Sequence, residues 1–181
     1  MYLTQQTLSS AKKFLGICVF TVLMVGCRGN AQLPTNAHIA ISPSEKTWNI
    51  VQNLQVDELG NPYCEIDPDY YQDEFIAVSV EDSQNRRIGD AQLLISLNLA
   101  GNTYSGRSVL ELYDDRDGNF LPSPQELVTG LGDNGVYVTA TDEYSGTSHF
   151  IVRMNLSCTY RGELTVSSEG YTATAVFQTK E

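Results

Sequence analysis

Residues 91–99, AQLLISLNL, put Leu93, Ile95, Leu97 and Leu99 on one side of an extended chain and Ser96 and Asn98 on the other. Successive strand side chains point to opposite faces, so this spacing predicts a strand with one buried face. The same period recurs outward from it. Upstream, Ile76, Val78 and Val80 share a side. Downstream, Leu110 and Leu112 follow, and Val136, Val138 and Ala140 alternate with Tyr137, Thr139 and Thr141. Phe150, Val152, Met154 and Leu156 alternate with Ile151, Arg153 and Asn155. Leu164 and Val166 make another strand, and Tyr171, Ala173, Ala175 and Phe177 a last one. Near the start, residues 37–42 (AHIAIS) alternate, Pro43-Ser44 interrupts, and residues 47–51 resume with Trp48. The apolar members are the expected core faces, Trp48 among them. Turn residues separate the runs and no amphipathic helix intervenes. The expected fold is all-β, an antiparallel two-sheet sandwich of about seven to nine strands.

The whole chain sets wider bounds. Its 181 residues suffice for one domain with an appendage. Hydrophobic residues make up 41% and charged residues 18%, a globular rather than a disordered balance. Eleven Lys and Arg against 22 Asp and Glu leave a net charge of −11. Such a surface repels phosphate backbones and anionic headgroups, which argues against nucleic-acid binding.

The first residues carry a different signal. Lys12 and Lys13 precede an apolar run from Phe14 to Val25, closed by Gly26-Cys27. A positive region, a short apolar region and a small residue before the cut describe a secretory signal, and the run is too short to span a bilayer. Residues 24–27, MVGC, resemble a bacterial lipobox, which implies diacylation of Cys27 as the mature N-terminus. Cleavage at a later site such as Ala31 is the alternative. Arg28, rather than Asp, follows Cys27, which by the same resemblance favours the outer membrane. Several acyl chains on one residue give the multiple anchors that stable attachment needs. The expected organisation is a signal peptide over 1–26, a lipidated tether over 27–36 and a sandwich domain over 37–181.

Cysteine usage follows from that compartment. Cys18 leaves with the signal and Cys27 carries lipid, so Cys64 and Cys158 remain as a pair expected to form a disulfide. Closing so long a loop stabilises by roughly 4 kcal/mol in the chain-entropy model.

One loop suggests a metal. From Asp115, residues 115–126 (DRDGNFLPSPQE) place Asp115, Asp117, Asn119, Leu121, Ser123 and Glu126 at positions one, three, five, seven, nine and twelve. That is the oxygen-ligand spacing of an EF-hand-type calcium loop. Phe120 stands where the pattern wants Gly, and no amphipathic helix flanks the loop, because VLELY before it and ELVTG after it read as strands. The expectation is a calcium loop carried on a β-framework, with a solvated acidic turn as the alternative.

Residues 53–73 show no period and hold Cys64 with Tyr63, Tyr70 and Tyr71, and read as a long loop tied by its cysteine. Beyond them, VSVED with IGDAQLLISLNL, then VYVTATDEYSGTSHFIV, then YTATAVFQ resemble bacterial immunoglobulin-like domains of the invasin and intimin kind. The resemblance covers about residues 74 to 178. Thr141 to Gly146 (TDEYSG) resembles its T-D-x-x-G turn, with three residues rather than two between Asp142 and Gly146, while Arg86-Arg87-Ile88 stands where Gly and Pro are usual. It implies a surface or spacer module and carries over no binding site.

No nucleophile motif, phosphate loop or H-E-x-x-H occurs, and nothing in the spacing of the carboxylates selects a catalytic pair. His149 falls on the polar side of its strand. The expected function is a non-catalytic, lipid-anchored module of the cell envelope that binds a protein partner or takes part in adhesion or a structural assembly. The alternative is a carbohydrate-binding or carbohydrate-active sandwich, for which a planar row of exposed tyrosines among Tyr63, Tyr70, Tyr71, Tyr104 and Tyr137 would speak.

Overall fold

The computed structural model describes residues 31–51, 55–56, 58–60, 62–63, 66–100, 109–128 and 135–181. Eleven strands run in chain order: β1 (His38–Ser42), β2 (Glu45–Asn49), β3 (Gln55–Val56), β4 (Pro62–Tyr63), β5 (Tyr71–Glu81), β6 (Gln92–Ala100), β7 (Leu110–Asp114), β8 (Tyr137–Ala140), β9 (Thr147–Asn155), β10 (Arg161–Ser168) and β11 (Tyr171–Lys180). Among the described residues there is no helix.

One sheet has the order β1-β5-β9-β7 and the other β2-β11-β10-β6-β8, with β3 and β4 forming a small separate hairpin. Letter the long strands A to G as β1, β5, β6, β7, β9, β10 and β11. The sheets then read A-B-E-D and G-F-C, the two halves of an immunoglobulin-type sandwich. β2 is added beside β11, and β8 beside β6. The chain changes sheets between β1 and β2 at the cis Ser42-Pro43 bond, so β1 pairs antiparallel with β5 and β2 parallel with β11.

The core lies between the sheets and follows the alternation. Ile76, Val78 and Val80 from β5, Leu93 and Ile95 from β6, and Phe150, Val152 and Met154 from β9 are all buried in it. Leu164 and Val166 from β10 and Ala175 and Phe177 from β11 meet them from the second sheet. Trp48 is buried and stacks on Phe177, ring centroids 6.4 Å apart.

Three features differ from the sequence reading. β8 is turned over: Val136 and Val138 are 56% and 52% exposed, while Tyr137 packs against the core. β8 is a sheet edge, and long-range bonds to the Tyr137 hydroxyl choose the inward face there, against apolar pattern alone. The loop at 53–73 contains the β3–β4 hairpin, whose two-residue strands are too short to show a period. Beyond the acidic loop the sequence pattern predicts a second strand, whereas the described part of ELVTG makes one bridge, Leu127 to Tyr113.

Part of the expected tether rests on the domain. The Ala31 amide donates to the Asp90 carbonyl at 3.3 Å, the Leu33 amide to Glu169 Oε2 at 3.0 Å, and the Tyr171 hydroxyl to the Pro34 carbonyl at 3.1 Å. Leu33 also packs against the core.

The two turns that carry the resemblance meet at one end of the sandwich. The Thr141 hydroxyl donates to the Ile88 carbonyl at 2.8 Å and accepts from the Ala91 amide at 2.9 Å. Asp142 caps its turn by accepting from the Ser145 and Tyr144 amides, and these bonds hold its carboxyl below the ordinary range.

Candidate metal loop

The acidic loop hangs from the edge of the first sheet. β7 delivers Leu112 and Tyr113 into the structure, and its pairing with β9 fixes where Asp114 leaves the sheet. The loop closes on itself: the Asp114 amide donates to the Glu126 carbonyl at 2.9 Å and the Val128 amide to the Leu112 carbonyl at 2.8 Å. Residue 126 is thereby brought back beside residue 115.

Inside the loop, carboxylates organise the backbone. Asp115 Oδ1 accepts from the Phe120 amide at 3.3 Å, and Asp117 Oδ1 from the Asn119 amide at 3.0 Å. Asn119 Oδ1 accepts from the Leu121 amide at 2.6 Å, while its Nδ2 donates to Asp117 Oδ2 at 2.6 Å. Ser123 Oγ accepts from the Gln125 amide at 3.4 Å.

Gly118 and Phe120 both take positive φ, +65° and +59°. Phe120 therefore adopts the turn that favours glycine, a left-handed conformation costing a bulky residue on the order of 1 kcal/mol. Its ring finds contacts that offset this cost, edge-on to Phe75 at 5.4 Å and near His149 at 6.5 Å. Phe75 pairs across the ladder with Ile151, which is fully buried although its alternation points it away from the core between the sheets. The loop and its phenylalanine thus lie over the outer face of the first sheet.

Of the six residues expected to supply ligands, the structure brings three together. Carboxylate oxygens of Asp115, Asp117 and Glu126 lie within 4.8 Å of one another. Asn119 and Ser123 direct their side-chain oxygens to neighbouring amides, and the Leu121 side chain is exposed.

The adjacent acid is separately neutralised. Asp114 Oδ2 accepts from Arg116 Nε at 2.8 Å and from the Tyr137 hydroxyl, to which Arg116 also donates. Burial first, then the Asp114 bond, pushes the Tyr137 phenol up. The sequence reading missed this cluster. Asp114 and Arg116 are neighbours of the kind a strand end puts on one side, but Tyr137 arrives only through the fold.

A second polar constellation lies on the same sheet. Asp73, Arg153 and Glu111 stand abreast on β5, β9 and β7. Arg153 makes a two-pronged pair with Asp73 at 2.7 and 3.0 Å and lies 5.5 Å from the Tyr113 ring centroid. Burial, followed by the bond to Glu111, pushes the Tyr113 phenol up to about 12. These groups satisfy one another across three strands, an arrangement that ties the sheet together.

The tyrosines form no row among the described residues. Tyr71 lies under Arg153, Tyr137 is bound at the acidic loop and Tyr70 is partly exposed elsewhere. Tyr104 and the Tyr63 side chain lie outside the described residues. His149 is exposed, as its strand position predicts. Cys158 is buried and disulfide-bonded, while Cys64, like Cys27, lies outside the described residues.

No protein-family model and no curated protein matches the chain. Solved structures of similar fold include a glycosyl hydrolase family 2 member from Bacteroides cellulosilyticus, with 15% identity, a TM-score of 0.39 and coverage of 81% of this chain. This chain spans 14% of that protein's length. WR4, a C. elegans MSP family member, gives 5% identity and a TM-score of 0.36, covering 78% of this chain and 94% of its own. The ASH/PapD-like domain of human CEP192 gives 5% identity and a TM-score of 0.36, covering 83% and 89%. Those values carry no functional argument. The strand order itself places the chain among immunoglobulin-like β-sandwiches.

Proposed function

We propose that this protein is a non-catalytic, lipid-anchored immunoglobulin-like module of a bacterial cell envelope, facing a protein partner. The observation that carries the reading is MVGC at residues 24–27, after an apolar run and directly ahead of a β-sandwich domain. The polar groups on the first sheet support a non-catalytic role. Arg153, Asp73, Asp114 and Arg116 are engaged with one another or with tyrosines rather than converging on an open cleft. The scattering of the described tyrosines favours a protein partner over the carbohydrate alternative.

The contacts of residues 31–34 give the anchored form a geometry. With lipid on Cys27 and Ala31 held at Asp90, four residue steps separate the acyl chains from the domain. Fully extended, they reach about 14 Å. The end of the sandwich that carries Asp90 and Glu169 would then face the bilayer closely. A surface of net negative charge held so near anionic headgroups is repelled by them, which directs the rest of the domain away from the membrane.

The test is fractionation of cells expressing the protein, with acyl labelling. Wild type is expected in the membrane fraction with label, and Cys27→Ser as an unlabelled precursor or in the soluble fraction. A wild type that is soluble, unlabelled and begins after residue 28 would overturn the anchor. In the same preparation we propose a Cys64–Cys158 disulfide, to be read by non-reducing peptide mapping. Recovery of both cysteines as free thiols refutes it.

A further inference from the structure

We propose that the 115–126 loop is a calcium site built on the carboxylates of Asp115, Asp117 and Glu126. Two observations of different kinds meet there. The first is convergence: three carboxylate oxygens from separate residues lie within 4.8 Å of one another. The second is burial without a partner. Asp115 is 4% exposed and its Oδ2 has no hydrogen-bond donor, and the buried Oε2 of Glu126 has none either.

An unpartnered carboxylate oxygen out of water is costly, and a second anion beside it adds repulsion. No basic side chain among the described residues relieves them, because the nearby Arg116 donates to Asp114 and Tyr137. A divalent cation cancels both costs at once. Oxygen-only donors select a hard ion.

Coordination flexibility and hydration select among the hard ions. Calcium takes oxygens at about 2.3–2.6 Å, so ligands on opposite sides of it stand roughly 4.6–5.2 Å apart. Three oxygens that all lie within 4.8 Å of one another can ligate one such ion. Magnesium, at about 2.0–2.1 Å, demands a near-ideal octahedral shell and gives up its water reluctantly, so a loop that supplies most of the ligands suits it poorly. Asp117, the exposed member, completes the set from the solvent side. Further ligands would come from water and from the loop's own oxygens at Asn119, Leu121 and Ser123, with the Asn119 amide releasing Asp117. The positive φ of Phe120 already provides the turn that the sequence pattern assigns to glycine. Through the Phe120 ring on Phe75, an occupied loop would also be fixed against the outer face of the first sheet.

The experiment uses the full chain in detergent, with calcium chloride as the probe, read by titration calorimetry and by thermal unfolding against EGTA. Calcium is expected to bind with a dissociation constant on the order of 10⁻⁴ to 10⁻³ M, as extracellular calcium modules do. At about ten times that concentration the melting temperature should rise by roughly 3 to 5 °C. Each variant is compared with itself, with and without calcium, so a change in basal stability does not obscure the reading. The shift should vanish in Asp117→Ala, an exposed position, and in Glu126→Gln. It should persist in Glu143→Gln outside the loop, and magnesium should give less than half of it. The proposal is overturned by an absence of both heat and shift in wild type. It is equally overturned by a shift that survives both loop variants, or by magnesium acting as well as calcium. Should Glu126→Gln melt higher than wild type while calcium does nothing to either, a shared proton rather than a cation relieves the pair, and the proposal falls.

Discussion

Phe177→Ala is expected to destabilise the domain by about 3–5 kcal/mol, enough to lower the melting temperature by roughly 10 °C or more. Phe177 is fully buried on β11, beside the edge strand β2 of the second sheet, with Trp48 stacked on it from β2. Removing the ring deletes its transfer free energy and leaves a cavity that neighbours in regular strands can only partly fill. Fold stabilities typically lie near 5–15 kcal/mol, so this one change removes a large share. Trp48 is the only tryptophan, and its emission therefore reports the site directly. The folded variant should emit further to the red as the cavity loosens its surroundings. Phe177→Leu keeps most of the volume and should cost about 1.5 kcal/mol. A Phe177→Ala protein that melts within about 2 °C of wild type would show that β2 and β11 do not pack as described.

The second large effect is expected at Gly89, although the backbone there is not in a glycine-only region. A Cβ on residue 89 would lie 2.2 Å from the Glu143 carbonyl oxygen and 2.8 Å from its carbon. Both are backbone atoms and cannot rotate away. Gly146 meets the same contact from the other side, with φ +65° and a would-be Cβ 2.7 Å from the Arg87 Cβ. The turn between β5 and β6 and the turn between β8 and β9 thus pack backbone to backbone. Gly89→Ala must push them apart, straining the Thr141 bonds to Ile88 and Ala91. Overpacking and stretched buried hydrogen bonds together should cost about 3 kcal/mol. Gly170→Ala is the matched control, because its φ is +91° but nothing lies within 4 Å of the added atom. Its cost is backbone strain alone, about 1 kcal/mol. Equal melting temperatures for the two variants would sink the close-approach argument.

The contact at Gly89 also identifies the residues on which these two turns depend. Thr141, Asp142 and Gly146 are legible as a turn because each acts locally, as a hydroxyl bridge, an Asx cap and a left-handed backbone position respectively. Arg86-Arg87-Ile88 stands where the resemblance expects Gly and Pro, and the close approach to the partner turn falls next to it, at Gly89. Asp82, bonded to Arg86, supplies the local closure that other residues would otherwise provide.

The strands and their inward faces are legible in the amino-acid order wherever a strand is buried along its length. Leu93 and Ile95, then Phe150, Val152 and Met154, and Leu164 with Val166 lie where period two puts them, because a one-residue slip would turn each set out of the core between the sheets. The acidic loop is legible too, since ligand spacing is a local property of the chain. The remaining features come from the folded arrangement alone. β8 is an edge strand, and the inward position of Tyr137 is set by Asp114 and Arg116 at the margin of the other sheet, which no window of neighbouring residues contains. Three of the six loop residues converge, and which three depends on the bridge from Leu127 to Tyr113 that returns Glu126 to the sheet edge. Phe120 breaks a local rule, and its compensation comes from Phe75, 45 residues away along the chain and 5.4 Å away in space. Alternation and spacing are short-range consequences of backbone geometry. Edge registers, buried charges and compensated strain depend on what the fold places opposite them.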